Sequence, residues 1–222
     1  MLKQTILAAC LASVLGSVAL AGPFEDGAEA YNGGDFAKAL VSWKAMADAG
    51  DLRGQFNVGI LNDQGKGVAK NPAEALKFYR LAAEQGDAIA AFNVGTMYLQ
   101  GDGAPANAVE GVKWYKQAAQ KGDVLAQYQL GLIFSEGKGV PQDYAEAAKW
   151  YEMAANKKHA QSQSNLGNMY ANGQGVEQDA GKANDWLEKA SENGMFGESN
   201  TSCNTQRSAQ NLELCRRVVP RM

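Results

Sequence analysis

The sequence predicts an all-α fold, an α/α superhelical solenoid of helix-turn-helix repeats. Three observations predict it: glycine recurs every 36 residues, at Gly59, Gly95, Gly131 and Gly167; apolar residues around each glycine keep helical spacing; and a Gly-x-Gly turn follows each segment. Such repeats bury their core between neighbouring copies and leave a long side surface free. The architecture therefore favours binding over catalysis.

The first 21 residues are predicted to be a secretory signal peptide. Lys3 precedes an apolar run at 5–20, and Ala19 and Ala21 supply the small residues expected before a cleavage site. A membrane-spanning segment is one alternative, and lipidation at Cys10 is another, although most of the apolar run follows that cysteine. The mature protein is expected in the periplasm or outside the cell, with no stable membrane span after cleavage.

The charge pattern argues against a nucleic-acid partner. The chain carries 21 Lys and Arg against 24 Asp and Glu, a formal charge of −3, and its pI is near 5.3. No basic cluster interleaves with aromatic residues, as phosphate binding would require. The basic end at Arg216, Arg217 and Arg221 is more typical of a solvated tail than of a membrane patch.

Four full repeats are predicted, at 52–87, 88–123, 124–159 and 160–195, each with two helices and two turns. A glycine inside a helix costs about 1 kcal/mol relative to alanine. Because it recurs in the first helix of every copy, a close approach between helices is expected to compensate. The Gly-x-Gly segments beginning at Gly65, Gly101, Gly137 and Gly173 suit helix C-caps and turns with positive φ.

The second helix of each repeat is predicted to begin at an N-cap side chain. The caps are Asn71, Asn107, Asp143 and Asp179. Glutamate follows three residues later in three copies, the spacing of a capping box, at Glu74, Glu110 and Glu146. Aromatic pairs such as Trp150-Tyr151 are expected to form the core, with cofactor stacking as the alternative.

Both ends of the array depart from the 36-residue pattern. Residues 22–51 are predicted to form a truncated N-terminal capping repeat, and residues 196–222 a C-terminal capping segment. Cys203 and Cys215 are expected to form a disulfide in an oxidising compartment. Intermolecular pairing and a reactive thiol pair are the alternatives.

The sequence contains no recognisable catalytic, cofactor or metal site, so an enzyme is not predicted. The single histidine, His159, is expected to be a surface residue in a turn, and G-x-S-x-G and H-E-x-x-H motifs are absent. A glycosidase with paired carboxylates is the enzymatic alternative that 24 acids leave open.

The recurring sequence resembles the Sel1-like repeat family, a relative of the tetratricopeptide repeat. The segments AQYQLG at 126–131, GKGV at 137–140 and AAKWY at 147–151 carry the resemblance, which extends over 52–194. It implies an α/α superhelix and a non-catalytic scaffold that binds a protein or peptide, and exported members are associated with envelope assembly, secretion or host contact. Peptidoglycan or other glycan binding is the alternative. It is weakened because the cysteines of glycan-binding relatives are missing from these repeats.

The resemblance also places the partner-binding surface on a concave face lined by first helices. The residues expected there are Arg53, Phe56, Asn57, Ile60, Ile89, Phe92, Asn93, Thr96, Leu125, Tyr128, Gln129, Leu132, Gln161, Ser164, Asn165 and Asn168. The amides at 57, 93, 129 and 165 are able to hydrogen-bond an extended peptide, although satisfying neighbouring helix ends is the favoured interpretation. The aromatic rings at 56, 92 and 128 are candidate peptide anchors, with helix packing favoured.

Overall fold

The computed structural model describes residues 22–194, and over that range its regular structure is entirely helical. The all-α prediction is confirmed. The ten helices are α1 (Pro23–Asn32), α2 (Phe36–Asp48), α3 (Leu52–Gln64), α4 (Pro72–Glu84), α5 (Ala88–Gln100), α6 (Ala108–Gln120), α7 (Val124–Glu136), α8 (Tyr144–Ala155), α9 (Ala160–Asn172) and α10 (Ala180–Glu192). The predicted signal peptide and the segment with Cys203 and Cys215 lie outside the described residues.

The chain divides into two compact units at the Phe78–Tyr79 bond, inside α4. In the first unit α1 packs against α2, and α2 packs against α3. In the second unit each helix from α5 to α10 packs against the next one in the chain. None of the helices within residues 22–194 combines the length and apolar character needed to cross a membrane.

The Gly-x-Gly segments end the first helices as predicted. Gly65, Gly101, Gly137 and Gly173 are left-handed C-caps with φ of 67°, 74°, 68° and 67°. The second glycine has a further role that the sequence did not reveal. A Cβ on Gly175 would collide with the backbone of Tyr144, at the start of the second helix of the preceding repeat. The turn therefore also joins consecutive copies.

The predicted N-caps of the second helices are confirmed. Asn71, Asn107, Asp143 and Asp179 accept hydrogen bonds at 2.9–3.1 Å from the backbone N–H three residues later. The reciprocal half of the capping box does not form. The cap residue's own N–H donates instead to a carbonyl of the first helix, as Asp143 does to Phe134 at 2.8 Å. The glutamates are left to pair with lysines on their own helices, as Glu146 does with Lys149.

The core aromatics lie where the sequence predicts them. Trp114, Tyr115, Trp150 and Tyr151 are buried, whereas Trp186 of the last repeat is only partly buried. Tyr115 also explains a recurrent glycine, because a Cβ on Gly95 would lie 2.6 Å from its ring. The close approach between helices that was predicted at the recurrent glycine is therefore present in the second unit.

Candidate partner-binding surface

The first helix of each repeat begins at a side chain that caps its first turn. Asp51, Asp87 and Asp123 accept hydrogen bonds from the backbone N–H of the third residue in their helices, at 3.1, 2.6 and 2.6 Å. These caps fix where each helix starts, and therefore which of its residues point away from the core.

The predicted binding positions are the second, fifth, sixth and ninth residues of each first helix. This spacing places them on one side of the helix, which we call the first-helix face. In the first unit it comprises Arg53, Phe56, Asn57 and Ile60; in the second it comprises Ile89, Phe92, Asn93, Thr96, Leu125, Tyr128, Gln129, Leu132, Gln161, Ser164, Asn165 and Asn168. The second residue of the helix is exposed in every repeat, and the other positions are partly buried except for the buried Ser164.

In the second unit the most exposed apolar side chains on this face are Ile89 and Leu125. They are 57% and 54% exposed. Phe92 instead packs against Tyr115 with ring centroids 5.2 Å apart, and Tyr128 lies 6.2 Å from the ring of Tyr151. Since these two rings contribute to helix packing, the side chains most available to a partner are aliphatic.

The amides of the same face do not satisfy neighbouring helix ends in the second unit, contrary to the favoured expectation. Asn93 and Gln129 make no side-chain hydrogen bond to any other described residue, and Asn165 is near enough to the hydroxyl of Tyr151 to lower the pKa of that tyrosine against the larger effect of burial. Asn93 and Gln129 are only partly buried, at the sixth position of their helices. Asn93 and Gln129 thus keep donors and acceptors available beside Ile89 and Leu125.

A different pair of amides satisfies the helix ends. The buried side chains of Gln127 and Gln163 donate through Nε2 to the carbonyls of Ala119 and Ala155, both at 3.0 Å. These carbonyls belong to the last turn of the preceding second helix. This role was not predicted from the sequence, although glutamine recurs at positions 127 and 163, which are 36 residues apart.

His159 directly follows the turn at 156–158 and keeps part of its surface exposed, but it also has a structural role that was not predicted from the sequence. It is partly buried and is the N-cap of α9, where Nδ1 accepts from the N–H of Ser162 at 3.3 Å and lies 2.9 Å from Ser162 Oγ. Its ring lies 4.8 Å from that of Tyr128. Burial lowers the pKa of His159, which favours the neutral ring that capping needs. The signal was available, because aspartate caps occupy this position in the other three repeats.

Two tyrosines of the second unit have pKa values that burial shifts. Burial raises the pKa of Tyr115 and Tyr151, so both hydroxyls stay protonated and serve as hydrogen-bonding groups. Tyr115 Oη lies 2.9 Å from Thr96 Oγ1, on the first-helix face. Among residues 22–194, no three His, Cys, Asp or Glu side chains are grouped to hold a metal ion.

The first unit contains an open cavity of about 270 Å³, which we call the cap pocket. It is lined by Phe24, Ala28, Tyr31, Asn32, Trp43, Asn57 and Ile60. Two of these residues, Asn57 and Ile60, were predicted from the sequence as binding residues. The others come from α1 and α2, which lie outside the four regular repeats. They could not be predicted by comparing equivalent positions of the repeats.

Two cations stand at the aromatic walls of the cap pocket. The Arg53 guanidinium lies 4.6 Å from the ring centroid of Phe24 and pairs with Asp51 at 3.2 Å. The Lys66 ammonium lies 4.9 Å from the ring centroid of Tyr31 and donates to its hydroxyl at 2.9 Å. In the described part of the chain, no carboxylate lies within ion-pairing distance of Lys66.

This chain belongs to the Sel1 repeat family, whose pattern it matches at 52–87, 88–123, 124–159 and 160–195. Sel1 repeat proteins are generally scaffolds for protein interactions, and their fold is non-catalytic. No curated protein matches the sequence significantly.

Solved structures show the same all-α repeat solenoid. A protective antigen present in uropathogenic Escherichia coli strains is 34% identical, with a TM-score of 0.74 over 78% of this chain and 38% of its own. A Sel1 repeat protein from Oxalobacter formigenes is also 34% identical, with a TM-score of 0.65 over 82% of this chain and 49% of its own. The chain therefore spans less than half the length of either relative. MamA, at 20% identity and a TM-score of 0.51, shares the fold.

Proposed function

We propose that this protein is an exported, non-catalytic scaffold that binds a protein or peptide through the first-helix face. The observation that carries the proposal is the pairing of exposed aliphatic groups with unbonded amides in consecutive repeats, Ile89 with Asn93 and Leu125 with Gln129. An extended peptide fits this combination, since its side chains need apolar contacts and its backbone needs amide partners.

Export and an envelope role, in assembly, secretion or host interaction, form the second part of the proposal. The support is the sequence of the first 21 residues, with its single positive charge, apolar run and small residues before Gly22. Cell fractionation with an antibody against the folded repeats tests this part. A product found in the periplasm or medium and shortened at its N-terminus supports export, and an unprocessed product in the cytoplasm contradicts it.

Partner capture from an envelope extract, followed by mass spectrometry, tests the binding surface. The informative variant is the double substitution Ile89→Ser and Leu125→Ser, because both side chains are exposed and contribute little to the core. The matched control is Val109→Ser with Met153→Ser, which removes exposed apolar groups from second helices.

We expect the first-helix variant to lose the captured partner and the second-helix variant to retain it. Equal capture by both variants would reject the first-helix face as the binding surface. Saturable binding of purified peptidoglycan fragments, abolished by the same first-helix variant, would replace the peptide with a glycan as the ligand.

A further inference from the structure

We propose that the cap pocket is a peptide subsite that takes one apolar side chain from a segment carrying acidic residues on both sides of it. This inference rests on the proposed function, because it names the chemistry of one subsite for the bound peptide. It concerns the first unit alone.

The pocket has the size and lining for one large side chain. Its volume of about 270 Å³ falls just below the range of small-molecule sites, which begins at roughly 300 Å³. Phe24, Tyr31 and Trp43 supply aromatic walls, and Ile60 adds an aliphatic one. Asn57 lies in the same lining and offers an amide to the peptide backbone.

The cation over Tyr31 is held in place without a carboxylate. Lys66 contacts the faces of Tyr31 and Phe36, at 4.9 and 5.1 Å, and donates to the Tyr31 hydroxyl. Because that hydroxyl accepts from an ammonium group, its own proton is free to point elsewhere and donate to an oxygen. The ammonium and the hydroxyl together form a site for a carboxylate.

A second cation lies over Phe24, another aromatic residue of the lining. Arg53 covers Phe24, which lies seven residues before Tyr31 on α1, a separation of about 10 Å along the helix. Asp51 already neutralises part of its charge, so Lys66 is expected to be the stronger site. Glu25 and Glu29 are exposed on α1 and, like Arg53 and Lys66, are not part of the lining itself. The two cations differ from these acids in lying over aromatic rings of the lining.

The presence of two cations favours an internal segment of the partner over its C-terminus. A chain terminus brings one carboxylate, whereas two of the aromatic residues that line this pocket each have a cation over the ring. In an extended peptide, acids two residues before and two residues after a central side chain project on the same side and lie about 13 Å apart. That spacing suits cations that flank a 10 Å aromatic wall.

The test measures binding of blocked synthetic peptides to the full chain by fluorescence anisotropy. The test peptide has the core Glu-Gly-Phe-Gly-Glu. Two comparison peptides replace either both acids with glutamine or the phenylalanine with glycine. A fourth carries phenylalanine followed by a free C-terminal carboxylate and has no other acid. Lys66→Met removes the cation and keeps most of the side-chain length, and Lys38→Met, at an exposed site on α2, is the matched control.

We expect the test peptide to bind saturably, and Lys66→Met to weaken it about tenfold while Lys38→Met leaves it unchanged. Replacing both acids should weaken binding to the wild type, and Lys66→Met should add little further loss for that peptide, because the two changes remove the same interaction. Ala28→Leu, which narrows the pocket, should reduce binding, with circular dichroism confirming its fold.

Several outcomes would overturn the inference: no saturable binding, equal binding by Lys66→Met, or equal binding of the peptide without phenylalanine. Tighter binding of the peptide with the free terminus would overturn the choice of an internal segment. If these peptides fail while partner capture still depends on Ile89 and Leu125, only the inference falls. If capture is independent of those two residues, the proposed binding face falls instead.

Discussion

The ring of Tyr151 lies against Gly131 of the first helix in the same repeat, so closely that a methyl group on Gly131 would overlap the ring. Gly95 has the same relationship to Tyr115 in the preceding repeat. The absence of a side chain lets the two helices of each hairpin approach and bury the tyrosine. This contact compensates for the conformational cost of a glycine within a helix.

Gly131→Ala should therefore destabilise the protein, although alanine is the better helix former. The added methyl group forces the Tyr151 ring or the helices apart, and overpacking of this kind costs about 1–3 kcal/mol. Chemical denaturation monitored by circular dichroism measures the change. Gly181→Ala is the control, since Gly181 is exposed on α10 and a Cβ there would meet no atom closer than Asp179 Oδ1 at 3.3 Å, whereas at Gly131 it would overlap the Tyr151 ring. A loss of stability in Gly131→Ala no larger than that in Gly181→Ala would contradict the packing account.

Lys158→Gly should stabilise the protein. Lys158 has a φ of 65°, and the equivalent positions in other repeats hold Gly86, Gly122 and Gly194, with φ of 98°, 97° and 91°. A left-handed conformation costs a residue with a side chain about 1 kcal/mol or more, so glycine should raise the free energy of unfolding by about 1 kcal/mol. Gly122→Ala should lower it by a similar amount. Opposite signs in the two measurements confirm the account, and a destabilised Lys158→Gly contradicts it.

Acidification should weaken the α9 cap formed by His159. Burial lowers the pKa of this histidine in the folded protein below its ordinary value of 6.5. The unfolded chain therefore binds the proton first, and stability falls as the pH drops through 6.5 towards the folded pKa. Protonation also removes the Nδ1 acceptor for Ser162 and places a positive charge at a helix N-terminus.

Denaturation curves between pH 7.5 and about pH 5 test this prediction. The matched variant is His159→Asp, which restores the cap used by the other repeats and should flatten the pH dependence in this window. The caps Asp51 and Asp179 do not interfere, because their pKa is lowered below 3.8 by hydrogen bonds to Arg53 and to the N–H of Lys182, respectively. An identical slope in wild type and His159→Asp would show that the cap histidine is not responsible.

The repeated parts of this fold were predictable because the same kind of residue occurs at the equivalent position of all four repeats. Gly65, Gly101, Gly137 and Gly173 are read together as C-caps, although one Gly-x-Gly segment alone would be ambiguous. The same comparison predicted the N-caps of the second helices and the core aromatics. Comparison of the repeats could not show which group a polar side chain hydrogen-bonds. The bond from Gln127 to a carbonyl at the end of the preceding helix is an example.

The candidate site was predictable only in part, for a related reason. The first-helix positions follow from the repeat register, but Phe24 and Tyr31 belong to helix α1, which has no equivalent column. Their pairing with Arg53 and Lys66 depends on two contacts between α1 and residues distant from it in the sequence. A pocket built from irregular and regular elements together is visible only in three dimensions.

Position-specific photo-crosslinking tests the central claim most directly, namely that the partner lies on the first-helix face. A benzoylphenylalanine is placed at Leu125, which is 54% exposed on α7, or at Val109, which is 67% exposed on α6. Both positions are exposed and the control position is the more exposed of the two, so a lack of adducts at position 109 cannot be due to burial. The account predicts a covalent adduct with the captured partner from position 125 and none from position 109. Adducts from position 109 alone would contradict it.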